Sequence, residues 1–194
     1  MNRAIVFIAF LFFFHLTFAQ EKARFQCLIP HHAKLQFAGG LGLVSVGAGY
    51  SNKKEKLEGD IYYGYIPKKI GGITIHTISS KITWFPLKKI ELKNVAVKPL
   101  SFGLLVNYTF GKQYFLFSPE NYPFNYYDHP TALHFGGLMG GQISKALSDK
   151  LLKQLAFYYE LITYDVELLS YLGNRKSLNL NDIFNVALGI KFSL

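Results

Sequence analysis

The sequence predicts an all-β protein: an antiparallel transmembrane β-barrel of about eight strands, with a long aromatic and proline-rich loop and room for one short helix. Three observations carry this expectation. The last eleven residues alternate strictly, with Phe184, Val186, Leu188, Ile190, Phe192 and Leu194 apolar and Asn185, Ala187, Gly189, Lys191 and Ser193 small or polar. A period of two marks a strand with one greasy face and one small or polar face. The chain opens on an apolar leader, and no later run of 18 apolar residues offers a spanning helix.

The leader has the layout of a secretory signal peptide. Asn2 and Arg3 form a positive start, Ala4 to Phe14 are uninterrupted apolar residues, and Thr17-Phe18-Ala19 places small residues for cleavage before Gln20. Eleven apolar residues would span only ~16 Å as a helix, far short of a ~30 Å hydrocarbon layer. The expected organisation is therefore a signal peptide at 1–19, a flexible lead at 20–34 and a barrel domain at 35–194. Cys27, the only cysteine, excludes an internal disulfide, and Ala23-Arg24-Phe25-Gln26 before it lacks a lipid-attachment pattern.

Composition agrees with a membrane or secreted β-protein. Aromatic residues make up 16% of the chain, and 13 residues are tyrosine, which suits the water–apolar rims of a barrel. The net charge is +9, with Arg3 the one Lys or Arg in the leader. A secreted destination argues against nucleic acid as the partner. An anionic lipid head group, lipopolysaccharide included, fits better.

Seven segments read clearly as strands. Leu35 to Tyr50 is glycine-rich and ends at a lysine-rich tip, Ser51 to Lys56. Leu57, Gly59, Ile61, Tyr63 and Tyr65 alternate with Glu58, Asp60, Tyr62 and Gly64. Ile73 to Phe85 carries His76, and Ser101 to Gly111 puts Phe102, Leu104, Val106, Tyr108 and Phe110 on one face. Thr131 to Ser144 carries His134, Leu151 to Leu161 leads to Glu160, and the terminal strand closes the set. A barrel with both ends on one side needs an even count. The eighth strand is sought in 86–99, 112–118 or 161–172. Asp165 to Gly173 reads either as a helix capped by Asp165 or as a strand.

Face assignment gives the candidate residues. Glu58, Asp60, His76, His134 and Glu160 are candidate lumen residues. Paired carboxylates can serve acid–base chemistry or bind a metal, but small barrels are commonly filled by polar side chains, and lysines from other strands would balance them. The same logic makes an arginine at position 186 far costlier than one at position 187. In the loop from Lys112 to Pro130, Tyr122, Phe124, Tyr126 and Tyr127 are the candidate interaction surface, since loops on rigid scaffolds carry function.

The layout resembles the small outer-membrane β-barrel proteins of Gram-negative bacteria, the OmpA-like barrel group. The resemblance rests on the leader ending at Ala19, on Ser101 to Gly111, and on Asn185 to Leu194, which looks like the C-terminal signal read by the barrel insertion machinery. It departs where such signals finish on an aromatic: here Phe192 is third from the end. The resemblance implies a cell outer-membrane location and a structural, adhesion or envelope-interaction role, with insertion machinery as an assembly partner and a protein partner at the loops. A lipid A-modifying acyl hydrolase and a soluble secreted barrel for an apolar ligand are the alternatives. Hydrolase chemistry needs a serine, a histidine and an acid within reach. His76, His134, Ser79, Ser80, Glu160 and Asp60 supply the residue types, but no local pattern joins them. His31-His32 is a weak metal signal, and no phosphate, zinc or calcium motif is present, so no catalytic residue, cofactor or metal is expected.

Overall fold

A computed structural model describes residues 29–117, 130–147 and 152–194. The segment read as a signal peptide, Cys27 and the loop residues Tyr122, Phe124, Tyr126 and Tyr127 lie outside the described residues.

Eight long strands close into an antiparallel barrel. They are β1 (His32–Ala38), β2 (Val44–Ser51), β3 (Leu57–Ile66), β4 (Ile75–Trp84), β6 (Val95–Phe110), β7 (Leu133–Ala146), β8 (Gln154–Tyr164) and β9 (Asn185–Ser193). Neighbours in sequence pair as hairpins, and β1 pairs β9 from His32↔Ser193 to Ala38↔Ala187, which shuts the ring. A short strand, β5 (Ile90–Leu92), pairs only with the start of β6 and stands outside the ring. Strand β6 changes register between Lys98 and Ser101, where Pro99 has no N–H to give the ladder. Follow the paired residues once round, through Gly140, Glu160, Ala187 and Ala38 to Ile66 and Ile75. The path returns to β7 displaced by about ten residues, which tilts the strands steeply as a narrow barrel requires.

The eighth barrel strand is not in 86–99, which adds only the short β5 outside the ring, nor in the described part of 112–118 or in 161–172. It lies in the segment read as one strand, Leu35 to Tyr50, which is the β1–β2 hairpin. Ala38 (φ 60°), Gly39 (φ 77°) and Gly40 (φ 77°) all take left-handed backbone there, which reverses the chain within a few residues. Glycine also populates strands of tight barrels, so composition alone hid the turn. Strand β1 also begins at His32, inside the segment expected to be a flexible lead.

Residues Asp165–Gly173 form helix α2, after the four-residue helix α1 (Lys68–Gly71). The α2 cap falls one residue earlier than expected, at Tyr164, whose N–H donates to the Glu167 carboxylate at 3.0 Å. A 3-10 turn, Leu180–Ile183, then leads into β9.

The two ends of the barrel differ. One carries the start of β1, the end of β9, the turn at 52–56, the 85–94 connection with β5 and the 147–153 connection. The other carries the tight 39–43 turn, the 67–74 connection with α1, and the two longest connections, 111–132 and 165–184 with α2. These are called the turn end and the loop end below.

Candidate functional site

The strand pattern places two functional surfaces, an ionic interior and an apolar wall. The interior is filled. Near the loop end, Leu41, Leu105, Leu138, Ile162, Tyr164 and Ala187 pack as an apolar plug. Leu41 is fully buried because its turn folds down into the barrel mouth, and its carbonyl accepts a hydrogen bond from Thr77 Oγ1. A Cβ at Gly64 would sit 1.9 Å from that carbonyl oxygen, so this close approach requires glycine.

The middle of the barrel is bridged. Tyr62 on β3 and Tyr158 on β8 stand on opposite sides of the ring, and their hydroxyls meet at 3.3 Å. Tyr158 Oη also donates to Gln36 Oε1 at 3.2 Å. Lys81 Nζ donates to both oxygens of Glu160 at 2.9 and 2.8 Å and lies 4.6 Å from the Tyr62 ring centre. Room for these rings comes from Gly47 and Gly189, where a Cβ would lie 2.6 and 2.2 Å from Tyr62 and Tyr158 atoms.

Towards the turn end the charges multiply. Lys34 Nζ donates to Glu58 Oε2 at 2.9 Å and to Asp60 Oδ2 at 2.8 Å. Lys191 Nζ donates to Glu58 Oε1, and Lys98 Nζ stands 3.8 Å from the same oxygen. His32 Nε2 contacts Asp60 Oδ1 at 2.6 Å. All these side chains are buried. Four lysines and a histidine thus converge with three carboxylates. Partners on several strands offset the large desolvation cost of each charge.

Of the candidate lumen residues, Glu58, Asp60 and Glu160 join this network. His134 lies on the inward side of β7 at the loop-end mouth, with Nδ1 3.2 Å from Asp165 Oδ1 and Nε2 3.3 Å from Thr131 O. Asp165 Oδ2 also accepts from Phe135 N at 3.2 Å, so the pair pins α2 to β7. His76 is not in the lumen. It has the parity of Ile78, Ile82 and Trp84 on the outer face, where its Nδ1 shares a 2.6 Å hydrogen bond with Tyr63 Oη. The period of two fixes that: Thr77, Ser79, Lys81 and Thr83 are the buried set on β4.

Two arrangements resemble chemistry. His32, Glu58 and Asp60 offer ligand atoms within 4.8 Å of one another. The ammonium groups of Lys34 and Lys191 already serve these carboxylates, and a divalent ion would have to displace them. Secondly, Ser51 Oγ lies 3.2 Å from His32 Nδ1, whose ring meets Asp60 on the other side. Asp60 only accepts, so a neutral His32 carries its proton on Nε2 and turns a lone pair to Ser51. That is the connectivity of a nucleophile relay. Yet the carboxylate is shared with Lys34, and the imidazole is fully buried. The contact ties β1, β2 and β3 together at the turn end. His31 and His32 point to different sides and do not converge on one ion. Asn107, in an Asn-Tyr-Thr pattern, is buried and accepts from Ser79 Oγ at 2.8 Å, closed to glycosylation in the folded state.

The outer wall is the reverse of the interior. Val186, Leu188 and Ile190 are exposed on β9, with Phe184 and Leu194 beyond its ends and Phe192 half-buried. The same face continues through Leu35, Val46, Ile61, Ile82, Leu104, Ile143 and Phe157 on the other strands. Leu104 is 73% exposed. Lys145, at the turn end, is the only Lys, Arg, Asp or Glu pointing outward from the described residues of the eight wall strands. Tyr50 and Trp84 edge this wall near the turn end, and Tyr63, Tyr65 and Tyr108 near the loop end. A strand of ten residues tilted at about 40° rises ~25 Å, the height of the apolar band of a membrane barrel.

Comparison of the chain with protein-family models, with curated proteins and with solved structures finds no match.

Proposed function

We propose that this chain is a β-barrel protein of the Gram-negative outer membrane, with a non-enzymatic structural, adhesion or envelope-interaction role. The observation that carries this reading is the inversion of polarity: charged side chains fill the inside, and the outside is a continuous apolar wall. Water would penalise such a wall on a monomer, whereas acyl chains solvate it. The end asymmetry supports the same reading. Barrels of this kind keep short turns on the periplasmic side and long loops outside, which would orient the loop end outward. Lipopolysaccharide would then meet Lys68, Lys69, Lys112, Arg175 and Lys176, all exposed at that end. The C-terminal alternation supports delivery by the barrel insertion machinery, and the long loop remains the surface for a protein partner.

The interior supports a scaffold rather than a channel. Among the described residues, the Tyr62–Tyr158 bridge and the Leu41 plug both stand across the lumen, as expected where side chains fill a narrow barrel. A heat-modifiability gel on fractionated cells tests the reading. The outer-membrane fraction should hold a band that migrates differently before and after boiling. Recovery of the mature chain from the soluble periplasm or medium would overturn it.

A further inference from the structure

We infer that the turn end carries a binding site for the phosphate group of an anionic phospholipid in the leaflet beside it. The site is a cleft of about 270 Å³ between the 52–56 turn and the segment after β4. Lys53, Lys54, Lys56, Lys88, Lys89 and Lys98 line it, with Glu55 the one acid and Phe85 and Leu87 the apolar part. The two walls are joined by a 2.8 Å hydrogen bond from Phe85 N to Lys56 O. Lys98 is buried beneath: its Nζ lies 4.4 Å from the Phe85 ring centre and donates to Glu55 O at 2.9 Å. Of the exposed lysines, Lys89 pairs with Glu91 at 3.1 Å. Lys53, Lys54, Lys56 and Lys88 have no acid within 4.0 Å among the described residues.

Four ammonium groups around one hollow, without an acid partner among the described residues, repel one another and are relieved by an anion. Lysine holds phosphate as a point charge, and such clusters beside a membrane attract anionic lipid. The position selects a lipid over a soluble anion. Leu87 is 50% exposed beside the cleft, and Trp84, on the outer wall, is 51% exposed three residues before it. A phosphate among the lysines would therefore leave its acyl chains running up the apolar wall past Trp84. Position also separates two basic ends: the cleft sits on the turn end, away from the loop end where lipopolysaccharide would lie.

The inference rests on the membrane reading, and one experiment separates the two. Trp84 is the chain's single tryptophan. The full mature chain is folded into vesicles of phosphatidylcholine and phosphatidylglycerol at fixed ratio. Bromine is carried in turn by the same mole fraction of either lipid, and Trp84 quenching is measured. Brominated phosphatidylglycerol should quench at least twice as strongly as brominated phosphatidylcholine. The triple variant Lys54→Glu, Lys56→Glu and Lys88→Glu should make the two equal, while Lys68→Glu with Lys69→Glu at the loop end should preserve the preference. Equal quenching in the unmutated chain overturns the lipid site and leaves the membrane reading standing. No quenching by either lipid overturns the membrane reading itself. Loss of the preference on adding inorganic phosphate, but not sodium chloride of equal ionic strength, would show a soluble-anion site and overturn the lipid assignment.

Discussion

Lys81 and Glu160 meet across the barrel interior, with Nζ at 2.8 Å from Oε2, although their strands share no ladder. Strand β4 pairs with β3 and β6, and β8 pairs with β7 and β9. The pair therefore spans the ring and holds opposite parts of the wall in register. Neither group is more than 5% exposed at its side chain, so each relies on the other as its ion-pair partner away from water.

A double-mutant cycle measures that dependence. Lys81→Met alone and Glu160→Gln alone should each destabilise the barrel by ~3–5 kcal/mol, because each leaves a buried charge without its partner. The double variant should lose less than the sum of the two. Urea unfolding of the vesicle-folded protein gives the three values. Strict additivity would show that the two charges act independently.

Polarity on the wall gives a second expectation. Leu104→Arg and Val186→Arg should each oppose membrane assembly, by ~2–4 kcal/mol for a basic side chain at the midplane. In a water-soluble barrel the same changes at exposed positions would be close to neutral. Yield of heat-modifiable protein in liposomes reads the difference. Alternation alone makes Ala187 the tolerant counterpart of Val186, and the structure corrects that. Ala187 is fully buried, and its Cβ lies 2.5 Å from where a Cβ on Gly39 would stand. Ala187→Arg would overpack the plug, so this position is no control for the outer face.

The Ser51–His32–Asp60 contact yields a third. With Asp60 bound to Lys34 and the imidazole sealed in, the serine should behave as an ordinary hydroxyl. A fluorophosphonate probe should leave Ser51 unlabelled in the folded protein, and Ser51→Ala should assemble normally with only a small loss of stability, about 1 kcal/mol for one hydrogen bond. Covalent labelling at Ser51 that vanishes in His32→Gln would instead reveal an activated nucleophile.

Much of this architecture is legible in residue order, for a physical reason. Alternation is a strong signal when one face is apolar and exposed and the other is packed inside the ring, since a one-residue slip inverts every side chain. It gives the faces of β3, β8 and β9 and the inward direction of Glu58, Asp60 and Glu160. The turn at Ala38 to Leu43 is illegible because glycines there make a reversal, whereas Gly47 and Gly189 make room for tyrosine rings across the lumen. The lysine partners are harder still. Lys34, Lys81 and Lys191 each sit between outward-facing residues, so parity marks them as inward. Which carboxylate each meets depends on the closure of the ring, and no local pattern encodes that. His76 reads as inward only if a polar residue must avoid the wall; Tyr63 gives it a partner outside. The cleft between 52–56 and 85–89 is invisible in the sequence, being formed by two segments about thirty residues apart.

The most direct test asks what the outer wall touches. In a Cys27→Ser background, single cysteines at Ile61, Leu104, Ile143 and Val186 would each carry an environment-sensitive fluorophore, with the protein folded into vesicles. All four labels, on four different strands, should emit in the blue and be quenched by lipids brominated near mid-chain, while aqueous iodide leaves them unaffected. Quenching by iodide and not by the brominated acyl chains would mean that water covers the wall, and would contradict the membrane assignment.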